Sequence, residues 1–233
     1  MLQRRFPWIA QQNWQDILFI HTPISQHTLR NFVPFPFKID TYEGKSWISI
    51  VLFKAKKSRL RYMPSWLSYP TFYQMNIRTY VRFGNERGVY FFSINANRLL
   101  AAIGGSAVSL PFNKASISIN EQNDYFIFSG EGLPNNYKGT VQISYRPQFT
   151  TFNPDASSLA YFLTERYCIW MIRGNHLIKA PINHTSWQLQ PAHTSIEKNN
   201  SFVFPITNDT FSHYSAFKHT VIYPFEYVGK FSL

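Results

Sequence analysis

The chain has 233 residues, 45% of them hydrophobic and 18% aromatic, and 23 Lys and Arg against 12 Asp and Glu give it a net charge of +11. This composition is globular and excludes a disordered chain. The single cysteine, Cys168, excludes an internal disulfide and fits a reducing, cytoplasmic setting.

No apolar run reaches the ~18–20 residues that a membrane-spanning helix needs. The N-terminal stretch, interrupted by Asp16, does not read as a signal peptide. The abundance of Phe, Tyr, Val, Ile and Thr favours pleated, half-buried surfaces. Residues 16–24, "DILFIHTPI", predict a short strand. Residues 25–34 predict a short helix, with Ser25 as N-cap, Leu29, Phe32 and Val33 at helical spacing, and Pro34 as a stop. Residues 37–57 read as a hairpin turning at Glu43-Gly44, and Trp47 opens its second strand. Residues 62–72 carry Pro64 and Pro70 among aromatics and read as an irregular loop.

Residues 75–97 give the clearest hairpin. Ile77, Thr79 and Val81 alternate with Arg78, Tyr80 and Arg82, and Gly84–Gly88 turns the chain. Within residues 97–108 the first half predicts a helix, closed by Gly104-Gly105. "FNKASISI" (112–119) and "DYFIFSGEG" (124–132) predict a strand pair, followed by a strand at 139–147. Residues 155–167 predict a helix, with Asp155 and serines at its start, Leu159, Phe162 and Leu163 at helical spacing, and Arg166 near its end. Residues 167–184 form a further hairpin around Arg173–Asn175, and the last thirty residues supply one or two closing strands. Together these elements predict one α+β domain over residues 1–233. It is mainly antiparallel β, curled or closed into a barrel or cone, with three short helices.

Known chemical signatures are absent. The seven histidines form no H-E-x-x-H and no close pair with Cys168, so no metal is implied. There is no phosphate-binding glycine loop and no nucleophile elbow, so no cofactor is implied either. Cys168 lies within the apolar run "YCIWMI", where a thiol is usually inert. Residues 54–87 hold eight Lys and Arg against one acid, most densely at 54–61. That run reads as a solvated strand end or as a surface for nucleic acid or an anionic membrane; no nucleic-acid-binding module accompanies it.

The remaining signal is polar side chains set in core-like segments. On a strand, Gln74, Asn76, Arg78 and Tyr80 share one face. Inside a curled sheet, Arg78 must meet an acid, a carbonyl or a bound anion; the same alternation also fits an ordinary solvent-facing side. His184, Trp187 and Gln190 cluster in 183–192 as a pocket rim or a strand corner, and Glu165 and Arg166 read as members of ion pairs.

Six stretches carry a resemblance in order along residues 12–225: "TLRNFVPFPFKIDTYEGKSWISIVLF", "MNIRTYVRF", "GVYFFSIN", "LPFNKASI", "FLTERY" and "SWQLQPA". Together they resemble the YqjF-like family of uncharacterised bacterial proteins, which in turn resembles acetoacetate decarboxylase in fold. The resemblance implies an antiparallel barrel or cone around an internal pocket. It also exposes a departure. Gln74 stands where the decarboxylase pattern has its glutamate, and Phe112 and Asn113 stand at its two lysine positions. A Schiff-base lysine must be neutral to attack a carbonyl, and in acetoacetate decarboxylase a neighbouring cation lowers the pKa of that lysine. Here that cationic pair is missing, and Lys114 comes one residue later, which on a strand means the opposite face.

The leading expectation is therefore a small-molecule-binding protein without Schiff-base chemistry. Its ligand residues are Gln74, Asn76, Arg78, Tyr80, Asn113 and Trp187. A second expectation is a lyase or isomerase acting on a carbonyl or carboxylate compound with Lys114 or His184 as base. A third is a basic surface at 54–61 that binds nucleic acid or an anionic membrane. Strand edges are compatible with a homodimer.

Overall fold

Alternation of apolar and polar residues governs most of the chain, and fourteen strands join one sheet. The computed structural model describes residues 7–64, 66–98, 110–133, 138–200, 204 and 206–231. The first strands are β1 (Ala10–Ile24), β2 (Lys38–Ile39), β3 (Ser46–Leu60), β4 (Phe72–Phe83) and β5 (Glu86–Ala96). Then come β6 (Phe112–Lys114), β7 (Ser116–Gln122), β8 (Tyr125–Leu133) and β9 (Gly139–Pro147). The last are β10 (Cys168–Arg173), β11 (His176–His184), β12 (Gln190–Asn199), β13 (Phe211–Ile222) and β14 (Glu226–Lys230). Two helices, α1 (Gln26–Arg30) and α2 (Leu159–Thr164), complete the described elements.

Strands β11, β10, β5, β4, β3, β1 and β13 pair in that order, and pairing of β11 with β13 closes them into a ring. All the pairings are antiparallel except β10 with β5 and β6 with β5. From β13 the sheet leaves the ring through β12 and continues as β9, β8 and β7. This arm lies against the outside of the ring. Ile48, Ile50, Met75 and Ile77 from the ring share a core with Ile117, Phe128 and Ile143 from the arm. The opposite face of the same ring strands points inward and buries Phe19, Val51, Phe53, Tyr80, Val89 and Phe91. Both faces of β3 are therefore covered, which is why "WISIVLF" is apolar without alternation.

At Gly88 a side chain would collide with its neighbours. An added Cβ would lie 2.6 Å from Cys168 O and 2.6 Å from Trp170 Cδ1, so glycine permits the close approach of β10 to β5.

Two of the three expected helices are present. In α1, Ser25 Oγ accepts from Thr28 N at 3.1 Å as the expected N-cap. The second is shorter than the 155–167 expected: Asp155 accepts from Ser157 N and Oγ in a turn, so Ser158 becomes the N-cap of α2. Its end comes at Glu165, which leaves the helical region with ψ 75°. The helix expected at 97–108 lies outside the described residues apart from Asn97 and Arg98. The expected 37–57 hairpin is corrected. Glu43-Gly44 does turn the chain, with Gly44 at φ 76°, but β2 pairs with β4 while β3 pairs with β1 and β4. No helix among the described residues is long and apolar enough to cross a membrane.

Candidate functional site

Within the ring lies a cavity of about 100 Å³ whose walls are mostly apolar, from Phe19, Val51, Phe53, Val89, Phe91 and Ile182. Its polar lining comes from Gln12, Gln74, Asn76, Arg78 and Thr220. Three of these are successive inward residues of β4, as the alternation predicts. Gln74 Nε2 donates to Asn76 Oδ1 at 2.8 Å, and Arg78 Nη2 donates to Leu163 O at 3.1 Å. The guanidinium lies 5.7 Å from the Phe19 ring centre and 5.9 Å from that of Tyr80. Its Nε is buried without a hydrogen-bond partner, and among the described residues no carboxylate forms an ion pair with Arg78. An unpaired cation in an apolar enclosure is costly unless something anionic joins it.

Behind Arg78 runs a buried polar chain whose hydrogen-bond order follows from chemistry. The Leu163 carbonyl can only accept, so Tyr80 Oη donates to it at 2.9 Å. Tyr80 Oη must then accept from Ser49 Oγ, and Ser49 Oγ accepts from His21 Nδ1 at 2.7 Å. That order leaves His21 Nε2 as a buried lone pair, matching its lack of a partner. His213 stands beside it with ring centres 5.4 Å apart. Burial, then His213, then Arg78 hold the His21 pKa well below its ordinary value, and burial pushes His213 down to about 4. Both imidazoles are therefore neutral near pH 7.

A pH dependence follows. An unfolded histidine takes up a proton near pH 6.5, whereas folded His213 does so only near 4. Between these values the unfolded state holds more protons. Stability that is complete above about pH 6.5 is lost as pH falls toward about 4, by roughly 3 kcal/mol for His213 alone. Urea unfolding across that span is expected to show the loss, and His213→Phe to reduce its slope while His21 and His184 keep their share; an unchanged slope in the variant would refute the assignment.

The other expected residues Asn113, Lys114, Tyr80 and Trp187 are not among those that line the cavity. Phe112, not Asn113, lines the cavity, because β6 pairs in parallel with β5 and puts Phe112 beside inward-facing Ile94. Asn113 pairs with Asn95 instead, and its amide donates to Pro111 O at 3.3 Å. Lys114 is exposed at the end of β6. Tyr80 does face inward, but it is buried beneath Arg78, where α2 closes the ring and Phe162 packs against it at 5.3 Å. Trp187 stands one layer behind the wall, edge-on to Phe19 at 4.9 Å, and its Nε1 donates to Thr164 O.

His184 is buried beside that layer, stacked on Tyr167 at 4.6 Å, and its Nδ1 donates to Thr185 O at 2.9 Å. Burial lowers its pKa, with the Thr185 carbonyl opposing. Glu165 accepts from Trp187 N at 2.7 Å and from the Tyr167 hydroxyl, while Arg166 makes the expected ion pair, with Asp40.

Sequence reasoning passed over Lys218, a buried lysine on β13. Its Nζ donates to Ser186 O at 2.7 Å and Thr185 O at 3.2 Å, and it lies 4.7 Å from the Trp187 ring centre. Burial lowers its pKa and Glu165 opposes the shift. The signal was its period-two spacing from Thr220 and Ile222, both cavity residues. No group of three or more His, Cys, Asp or Glu among the described residues could hold a metal ion.

This architecture is that of the acetoacetate decarboxylase-like proteins. An acetoacetate decarboxylase-like enzyme from Sphingomonas wittichii RW1 matches with a TM-score of 0.66 and 9% identity over 97% of this chain and 95% of that one. The enduracididine biosynthesis enzyme MppR, solved with pyruvate, matches at 0.68 and 8% over 99% and 95%. Acetoacetate decarboxylase from Legionella pneumophila matches at 0.65 and 13% over 99% and 93%. Within that fold, the chain belongs to the DUF2071 family, described as an uncharacterized conserved protein, whose pattern matches residues 11–217. It is 35% identical over 193 residues to the uncharacterized protein YqjF of Bacillus subtilis (strain 168), covering 82% of this chain and 79% of that protein.

Proposed function

We propose that the ring cavity binds a small carboxylate-bearing molecule without forming a covalent bond to it. The observation that carries this reading is Arg78, a cavity-lining guanidinium with a buried, unpartnered Nε and no ion-pair partner among the described residues. A carboxylate would supply the missing charge, since the guanidinium fork matches its geometry. The Gln74–Asn76 bond leaves a donor on Asn76 and an acceptor on Gln74 for a ligand carbonyl or hydroxyl. The apolar walls would take the rest of the molecule. MppR, a neighbour in fold, was solved with pyruvate, a molecule of this class.

Schiff-base chemistry is not part of the proposal. Among the described residues no lysine lines the cavity: Phe112 lines the wall and Lys114 is exposed. Calorimetric titration with pyruvate and acetoacetate, and with methyl pyruvate as the uncharged control, tests the reading. Saturable heat from the acids and none from the ester is expected; equal binding of the ester, or no heat from either acid, would count against it. Borohydride added to the acid-loaded protein is expected to leave its mass unchanged, and an adduct on Lys114 or Lys218 would replace the non-covalent reading with a covalent one.

A further inference from the structure

We infer that the end of the ring carrying Trp8, Arg59, Arg61 and the β3–β4 connection docks on an anionic lipid surface. Three segments meet at that end. Gln11 of β1 pairs with Arg59 of β3 and Val221 of β13, and Asn13 pairs with Lys56 and His219. Residues 7–15, 54–71 and 216–225 together contain no Asp or Glu. Lys54 is engaged by Asp16 at 3.0 Å, which leaves Lys56, Lys57, Arg59 and Arg61 as a positive field with no acid among these segments. Such a field attracts a negatively charged bilayer within about a Debye length.

The connection from β3 to β4 adds what a purely ionic surface lacks. Tyr62 is 92% exposed, Trp66 81% and Leu67 46%, all close together in sequence beside the cations. Large apolar side chains held in water at such density are a loss to the isolated protein and mark an interaction site. Trp and Tyr suit the headgroup level of a bilayer, where the ring is half-buried and its polar atom stays wet.

The same observations disfavour a nucleic acid. Trp8, the aromatic nearest the cations, has the guanidinium groups of Arg59 and Arg61 over its ring, each 5.2 Å from the centre. Those cations are thus partly taken up by an aromatic ring, and exposed Leu67 beside Tyr62 and Trp66 suits acyl chains but gives a base no stacking surface. The docking face also borders the cavity. Arg61 N donates to Ile9 O at 2.9 Å, and half-buried Ile9 lines the cavity wall. Docking would therefore set the cavity beside the headgroup layer.

Sedimentation of the full chain with phosphatidylcholine vesicles, with and without about one-third phosphatidylserine, tests this. The protein is expected to pellet only with the anionic vesicles and to be released as salt rises. Lys57→Glu with Arg61→Glu should abolish pelleting. Tyr62→Ser, Trp66→Ser and Leu67→Ser combined should weaken it by roughly tenfold or more, since indole, phenol and isobutyl burial are all lost. These residues are exposed, and an unchanged circular dichroism spectrum confirms that the variants fold. Equal binding to neutral vesicles, full binding by the triple serine variant, no pelleting at low salt, or tighter binding to a single-stranded oligonucleotide than to the vesicles would each overturn the inference.

Discussion

Replacement of Asp40 by alanine is expected to lower the unfolding free energy by about 3–5 kcal/mol, the range for breaking a buried ion pair from one side. Asp40 Oδ2 accepts from Arg166 Nη1 at 2.7 Å, with side chains 5% and 4% exposed. The pair ties the end of α2 to the segment after β2, and Arg166 Nε also donates to Phe162 O at 2.7 Å. Burial already lowers the Arg166 pKa, so its charge persists in the interior through Asp40, which raises it again. Arg87 also approaches Asp40, at 3.6 Å, but it is largely solvated and would compensate little. Urea unfolding measures the loss. Combining Asp40→Leu with Arg166→Met should recover a substantial part, because no unpaired charge then remains. A single alanine variant that loses less than about 1 kcal/mol would show that water or rearrangement satisfies Arg166.

Arg78→Gln is expected to weaken carboxylate binding by roughly 10–100-fold, the range for losing a charge-assisted hydrogen bond. Its effect on stability should be small, because the lost bond to Leu163 O, which keeps the Tyr80 hydroxyl, is offset by removing a cation with no ion-pair partner among the described residues and one buried, unpartnered nitrogen. This opposition separates a ligand residue from a structural one. A structural arginine would lose stability and binding together. Arg78→Lys should rescue only part of the affinity, since a lysine keeps the charge without the two-pronged geometry. Calorimetry and urea unfolding on the same preparations test both halves. Unchanged affinity in the glutamine variant would move the anion site elsewhere.

The part of the site that was legible in the sequence is the part that strand geometry alone controls. Gln74, Asn76 and Arg78 share a face because strand side chains alternate, and no tertiary information is needed to know it. Which way that face points did need it: the inward orientation depends on closure of β11 against β13, residues far from β4 in the chain. Asn113 failed for a related reason. A three-residue strand carries too little pattern to fix its phase, and the parallel pairing with β5 sets it one step from expectation. The 37–57 hairpin misled because its turn is genuine while β2 continues for only two residues, and then against β4. The buried His21–Ser49–Tyr80 chain spans three strands, and nothing local in any of them announces it.

Closing the ring also decides where this protein can meet another strand. A closed circuit has no free edges, so among the described residues the sheet's path ends only at β7 and β14, apart from the short β2 and β6. Neither terminal strand is a smooth apolar ribbon. Glu121 stands near the end of β7, and β14 carries Glu226 and Lys230. Charged, short edges resist uncontrolled strand addition. Growth of the sheet into fibres is thereby discouraged, and among the described residues self-association by strand pairing would be directed to these outlying strands.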